Sequence, residues 1–268
     1  MTWLHVTPGT SPLLLTFPHG GSLVHDMEGF RSLAAAQRDA DWHIRDLYDG
    51  LADATYVWTD ISRSMIDCNR DPSGASLYPG QATTGVCPLT DFDGETLYRA
   101  MREPSEQDIA ARRAAWFDPY HTAITAEIAR LRALHPRVVV YDCHSIRSRV
   151  PRLFPGELPE LNLGTDYTQT CDPALENVVT LAAAASGRSI VLNGRFRGGW
   201  STRHYGRPGE RVHTIQMEIA MRAYLREPAE LAASPDWPPR YDPDYAAPLR
   251  ADLARILAAA LDFAKGSA

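Results

Sequence analysis

The chain has 268 residues, 44% hydrophobic and 22% charged, with 18 Gly and 20 Pro. That composition supports a sizeable core and excludes disordered, collagen-like and coiled-coil classes. With 33 acidic against 27 basic residues the formal charge is −6, which offers no electrostatic footprint for nucleic acid or an anionic membrane.

No stretch approaches the roughly 18 consecutive apolar residues of a membrane helix, and residues 1–15 carry neither a basic leader nor a small-residue cleavage site. Cys68, Cys87, Cys143 and Cys171 are widely spaced without a CxxC pair, which argues against a disulfide framework and a structural zinc knot. A cytoplasmic location in a reducing compartment is expected.

In chain order, an apolar run at 13–17 reads as a strand, 42–51 as a helix and 55–58 as a second strand. Residues 69–99 lack periodicity and read as a functional loop. Helical spacing then runs from Ser105, a capping residue, to His135 before Pro136, with Pro119 expected to break or kink it into two helices. Further strands are expected at 137–141, 189–192 and 212–217, a second long loop at 145–170, and helices at 173–185 behind an Asp172 cap, at 219–225 and at 247–264. Alternation of this kind predicts one domain spanning 1–268, an α/β fold whose mixed, mostly parallel central sheet is covered by helices on both faces.

Ligands of such sheets bind beyond the carboxyl ends of strands. His19 follows the first run in Pro-His-Gly-Gly, and His144 follows another in Asp-Cys-His-Ser. Neutral imidazole is the commonest metal ligand, and a catalytic site needs three protein ligands and an open position. The third ligand would be a carboxylate, and Asp26, Glu28, Asp39, Asp41 and Asp46 are all candidates. Asn69 and Arg70 form a pair suited to bidentate recognition of a substrate carboxylate. Arg195, Arg197, Arg203, His204 and Tyr205 concentrate around a glycine pair as a candidate anion-binding loop. Glu218, expected at a strand end, is either a general base or a helix-terminal carboxylate.

These segments together resemble the N-formylglutamate amidohydrolase family: FPHGG, DADWHIRDLYD, SRSMIDCNRDP, LYPGQATTGVCPLTDFDGETLYR, DCHSIRSRVPRLFPGELPELNLGT, and NGRFRGGWSTRHYGRP through HTIQMEI, spread over residues 11–225. That family is in turn similar to zinc carboxypeptidases. The resemblance implies a three-layer α/β/α sandwich, one divalent ion (zinc first, with cobalt, iron or manganese also accepted by such ligands), and a small dianionic N-acyl amino acid as substrate. It further implies hydrolysis of N-formyl-L-glutamate to formate and L-glutamate, the last step of a histidine-degradation route.

Carried onto this sequence, it makes His19 and His144 metal ligands and Glu218 the base. Asn69 and Arg70 hold one carboxylate, and Arg147, Arg195 and Arg203, with His204 or Tyr205, are candidates for the other. Arg63 stabilises the oxyanion. Carboxypeptidases place their carboxylate ligand three residues after the first His, where this chain has Ser22. The resemblance points to Asp41, in its Asp-Trp-His segment, for that role, with Asp26, Glu28 or His43 as alternates. The competing readings are a related N-formyl or N-acetyl aspartate deacylase, a thiol amidase using Cys143 beside His144, and a non-catalytic binder of acidic metabolites.

Overall fold

A computed structural model describes residues 2–25, 27–75, 80, 83–228 and 237–266. Its centre is a seven-stranded sheet of order β1-β3-β2-β4-β7-β5-β6. The strands are β1 (Leu4–Thr7), β2 (Leu13–Phe17), β3 (Thr55–Thr59), β4 (Val138–Ile146), β5 (Leu161–Gly164), β6 (Ile190–Leu192) and β7 (Val212–Ala220). Strands β3, β2, β4 and β7 run parallel to one another, whereas β1 pairs antiparallel with β3 and β5 antiparallel with β7.

The core explains the sandwich. Leu13, Leu15, Phe17, Val139, Tyr141, Cys143, Ile215 and Met217 face α2 (Ile44–Tyr48), α5 (Pro173–Ala184) and α7 (Pro243–Lys265). Leu14, Val57, Val138 and Val140 face α1 (Leu33–Gln37) and α4 (Asp118–Leu134) on the opposite side. Both faces are covered, so the central strands are apolar at successive positions. Among the described residues, no helix is long and apolar enough to cross a membrane.

Strand β4 continues to Ile146 rather than stopping at 141, and β7 to Ala220 rather than 217, because the two remain paired through His144↔Glu218 and Ile146↔Ala220. That pairing displaces the helix expected at 219–225, leaving one short 3-10 turn at Met221–Ala223. Strands β1 and β5, four residues each, were not expected, and β5 lies within the presumed 145–170 loop. Ser105 does cap α3 (Glu106–Arg112), reciprocally with Asp108. The run from 105 to 135 does divide into two α-helices, α3 and α4, but the join is a π-helical turn at Arg113–Phe117, and Pro119 falls in the first turn of α4, where a missing N–H is tolerated.

Candidate active site

The site begins where one face of the sheet stops being apolar. Along β4 the side chains facing α4 are Val138 and Val140, then Asp142 and His144. Strand β7 places Gln216 opposite Asp142 and Glu218 opposite His144, and β2 places Thr16 opposite Asp142. Three parallel strands thus project polar groups side by side at their carboxyl ends, and all are buried. His19 is carried just past the end of β2. The turn behind it requires Gly21, where a Cβ would lie 2.2 Å from the Asp60 carbonyl carbon.

The two imidazoles converge. His19 Nδ1 and His144 Nδ1 are 3.1 Å apart, and Asp41 Oδ2 lies 3.8 Å from the first and 3.3 Å from the second. Among the described residues, His19, Asp41 and His144 form a buried group whose ligand atoms all lie within 4.8 Å of one another. The far nitrogen of each ring meets a carboxylate: His19 Nε2 is 2.6 Å from Asp67 Oδ1, and His144 Nε2 is 3.1 Å from Asp142 Oδ2. Carboxylates in this position accept a hydrogen bond from Nε2–H, which fixes the tautomer and leaves the Nδ1 lone pair for a cation. Two such lone pairs facing each other beside a carboxylate repel unless a proton or cation lies between them. The donor set therefore fits a divalent ion of the nitrogen- and oxygen-liganded kind.

Thr16 and Thr202 donate to Asp142, and the Asn69 N–H donates to Asp67. Asp67, Asp142 and Gln216 were not anticipated from the sequence. Asp142 sits two residues before His144 on the same strand, so period-two alternation would have exposed it had β4 been read to its full length. Of the alternate ligands, Glu28 is exposed, His43 pairs with Asp46 at 3.0 Å, and Asp26 lies outside the described residues. Asp39 is buried elsewhere, accepting from Arg147 and the Phe92 N–H.

The electrostatics match this arrangement. Burial, reinforced by the neighbouring Arg63 guanidinium, brings His19 down to about 4, so its ring is neutral and ready to ligate. Burial also opposes charge on His144, but Asp142 and Asp41 hold it well above its ordinary value. Burial pushes Glu218 up to about 8 against the attraction of His144. Asp41 is held low in spite of burial by His144, His19 and Arg63. At pH 7 the ion-free site thus carries a proton on His144 that a cation taking its Nδ1 would displace, and a proton on Glu218 whose loss a nearby cation would favour. Uptake of Zn²⁺ is expected to release about one proton or more per ion, and affinity is expected to weaken as pH falls. Calorimetric titration in buffers of differing ionisation enthalpy measures the release, and zero release contradicts the protonated state of His144 in the ion-free site.

Beside this group opens a cavity of about 250 Å³ lined by His19, Arg63, Asn69, Arg70, His144, Arg195, Gln216 and Glu218, with Phe92, Ile146, Leu153 and Phe196 on an apolar wall. Arg63 spans Asp41 and Asp67, at 3.3 and 2.9 Å, and stacks over Phe92. Asn69 is oriented by the Ser201 N–H, which donates to its Oδ1 at 2.8 Å. Gly199 is required there, since a Cβ would lie 2.3 Å from Asn69 Nδ2. Arg70 is braced on Thr84, and Arg195 on the Leu153 carbonyl.

The other expected anion binders lie away from the cavity lining. Arg147 pairs with Asp39 and Asp93, Arg203 pairs with Asp166, His204 stacks on Trp200, and the Tyr205 hydroxyl bonds His121. Cys143 points into the opposite apolar face, with its thiol pushed well above the ordinary range by burial and the nearby Asp142. It cannot share a proton with His144, which removes the thiol-amidase reading.

Fold and site together define an α/β protein with a buried two-imidazole, one-carboxylate group beside a cavity lined by several arginines. The N-formylglutamate amidohydrolase family model matches residues 11–225. A Pseudomonas aeruginosa protein named N-formylglutamate deformylase is 43% identical over 233 residues, 85% of this chain and 87% of its own length. A Pseudomonas putida protein of the same name is 40% identical over 258 residues, 94% and 93% of the two chains. The chain belongs to the N-formylglutamate amidohydrolase family. The crystal structure of N-formylglutamate amidohydrolase from Ralstonia eutropha JMP134 shares the fold, with a TM-score of 0.80 over 100% of both chains at 20% identity. A gene product of Agrobacterium tumefaciens does so at 0.70 and 19% identity, over 98% of this chain and 96% of its own.

Proposed function

We propose that this chain hydrolyses the formamide bond of N-formyl-L-glutamate with the help of one divalent ion, zinc being the first candidate, held by His19, Asp41 and His144. The observation that carries the reading is the placement of Glu218. This buried carboxyl is pushed up to about 8, lies opposite His144 on the adjacent strand, and opens on the same cavity as Arg70 and Arg195. The bound ion would polarise the formyl oxygen and acidify water.

Glu218 takes a proton from the attacking water as its oxygen bonds to the formyl carbon. It returns that proton to the nitrogen as the C–N bond breaks, giving formate and the free amine. Arg63 presents a fixed guanidinium toward the developing oxyanion. Asn69 with Arg70 takes one carboxylate and Arg195 the other, each charged hydrogen bond contributing about 1.5–3 kcal/mol. The cavity falls below the roughly 300–1,000 Å³ of drug-sized pockets, which suits a small metabolite better than a peptide. The reaction's place in histidine breakdown and a cytoplasmic setting follow from this assignment as further parts of the proposal.

Formate release from N-formyl-L-glutamate, measured alongside the metal content of the purified protein, tests the reading. N-formyl-L-glutamine, which lacks the distal charge, is expected to show a KM about 10–100-fold higher, the equivalent of one lost charged contact. Faster release of acetate from N-acetyl-L-glutamate, or full activity without any divalent ion, overturns it.

A further inference from the structure

Asp41 lies in the chain between α1 and α2, whereas His144 is fixed within β4. A ligand on a loop needs something to hold it against a ligand on the sheet, because a working site tolerates only about 0.5 Å of play. One hydroxyl spans the two segments. Tyr224, completely buried just beyond β7, lies 2.6 Å from the Trp42 carbonyl oxygen and 2.7 Å from Ser145 Oγ. A carbonyl only accepts, so Tyr224 donates to Trp42 and accepts from Ser145. Trp42 directly follows Asp41, and Ser145 directly follows His144. The Ser145 N–H in turn donates to Asp41 Oδ2 at 3.0 Å. Tyr224 belongs to the apolar cluster on the α2, α5 and α7 side of the sheet and so reaches the site from behind.

We infer that Tyr224 is a positioning residue, a clasp that sets the separation of Asp41 and His144 without touching substrate. The role rests on the ion-site reading above. Tyr224→Phe keeps the ring and its packing and removes only the clasp, and Ser145→Ala removes one arm while retaining the backbone bond to Asp41.

The test measures Zn²⁺ affinity by chelator competition in the wild type, both single variants and the double variant, at a temperature where circular dichroism shows each ion-free protein folded. Tyr224→Phe is expected to weaken Zn²⁺ binding by at least about tenfold, the lower end of what partners behind a ligand contribute. Ser145→Ala is expected to weaken it less, and the double variant no more than Tyr224→Phe, because both act through one hydroxyl. The KM for substrate at saturating Zn²⁺ is expected to stay at the wild-type value. Native Zn²⁺ affinity in Tyr224→Phe overturns the clasp, as do additive effects of the two substitutions. If Tyr224→Phe fails to fold, unchanged affinity in Ser145→Ala overturns it alone. A wild-type protein that binds no divalent ion overturns the ion-site reading as well, which separates the two failures.

Discussion

Glu218→Gln is expected to lower the rate of formate release by about 10²–10⁴-fold, the usual contribution of a positioned general base. The substitution preserves shape and hydrogen-bonding length. It leaves β7 paired with β4 and β5, and it keeps the cavity lined by Arg70 and Arg195. Substrate affinity is therefore expected to be retained or slightly improved, since one buried acidic group facing a dianion is gone. Single-turnover formate release gives the rate, and equilibrium binding of N-formyl-L-glutamate gives the affinity. A variant that keeps more than a tenth of the activity removes Glu218 from the proton transfers. This same variant separates a hydrolase from a binding protein, because a binder has no use for the Glu218 base.

The reason Glu218 suits the task lies in the sheet. Its neighbours are the aliphatic wall of Ile146 and Ala220 and the buried amide of Gln216, whose Oε1 accepts from the Gly199 N–H and whose Nε2 is 3.5 Å from Glu218 Oε2. Burial raises the proton affinity of this carboxyl, and the attraction of His144 opposes that rise. A divalent cation held by the imidazoles would replace the attraction of the protonated His144 with its own larger charge and so lower the proton affinity of Glu218. A carboxyl lowered in this way from about 8 would suit the proposed role, in which one group acts first as base and then as acid.

How far this arrangement was legible in the sequence depends on whether a residue's role is set by local pattern or by distant pairing. Leu13–Phe17 is as long in the structure as its apolar run suggested, and His19 follows it as expected. The sequence suggests a shorter β4, because Asp142, His144 and Ser145 look like the start of a loop. They remain extended because β7 supplies their pairing partners, and nothing local to the sequence announces that. The composition of 193–206 signalled a cationic loop, and Arg195 does line the cavity. Composition carries no direction, however, and Arg203 is turned to Asp166 while Arg147 is turned to Asp39 and Asp93. Asp67 was hidden for the opposite reason. It stands beside Asn69 and Arg70, which drew attention as carboxylate binders, while its own partner His19 is 48 residues away.

Asp41 is the carboxylate of the proposed ion site although it lies far from His19 in the sequence, and its replacement is the second decisive experiment. The position three residues after His19 is Ser22, yet the chain returns through the loop after α1, where the Asp41 N–H donates to the His19 carbonyl at 3.0 Å. Its carboxylate then receives the Ser145 N–H and the Arg63 guanidinium. Asp41→Ala removes a ligand and also leaves those two donors without an acceptor, whereas Glu28→Gln and His43→Gln alter side chains outside the ligand group.

Asp41→Ala is expected to lose bound Zn²⁺ under dialysis and to lose about 10³-fold or more in formate release, corresponding to the several kcal/mol a bound cation supplies. Both control variants are expected to retain stoichiometric metal and wild-type rates. Elemental analysis after dialysis, paired with the rate measurement, decides the matter. If Asp41→Ala holds its ion while Glu28→Gln or His43→Gln sheds it, the carboxylate arm of the site belongs to a different segment, and the convergence of loop and strand at His144 would then need another cause.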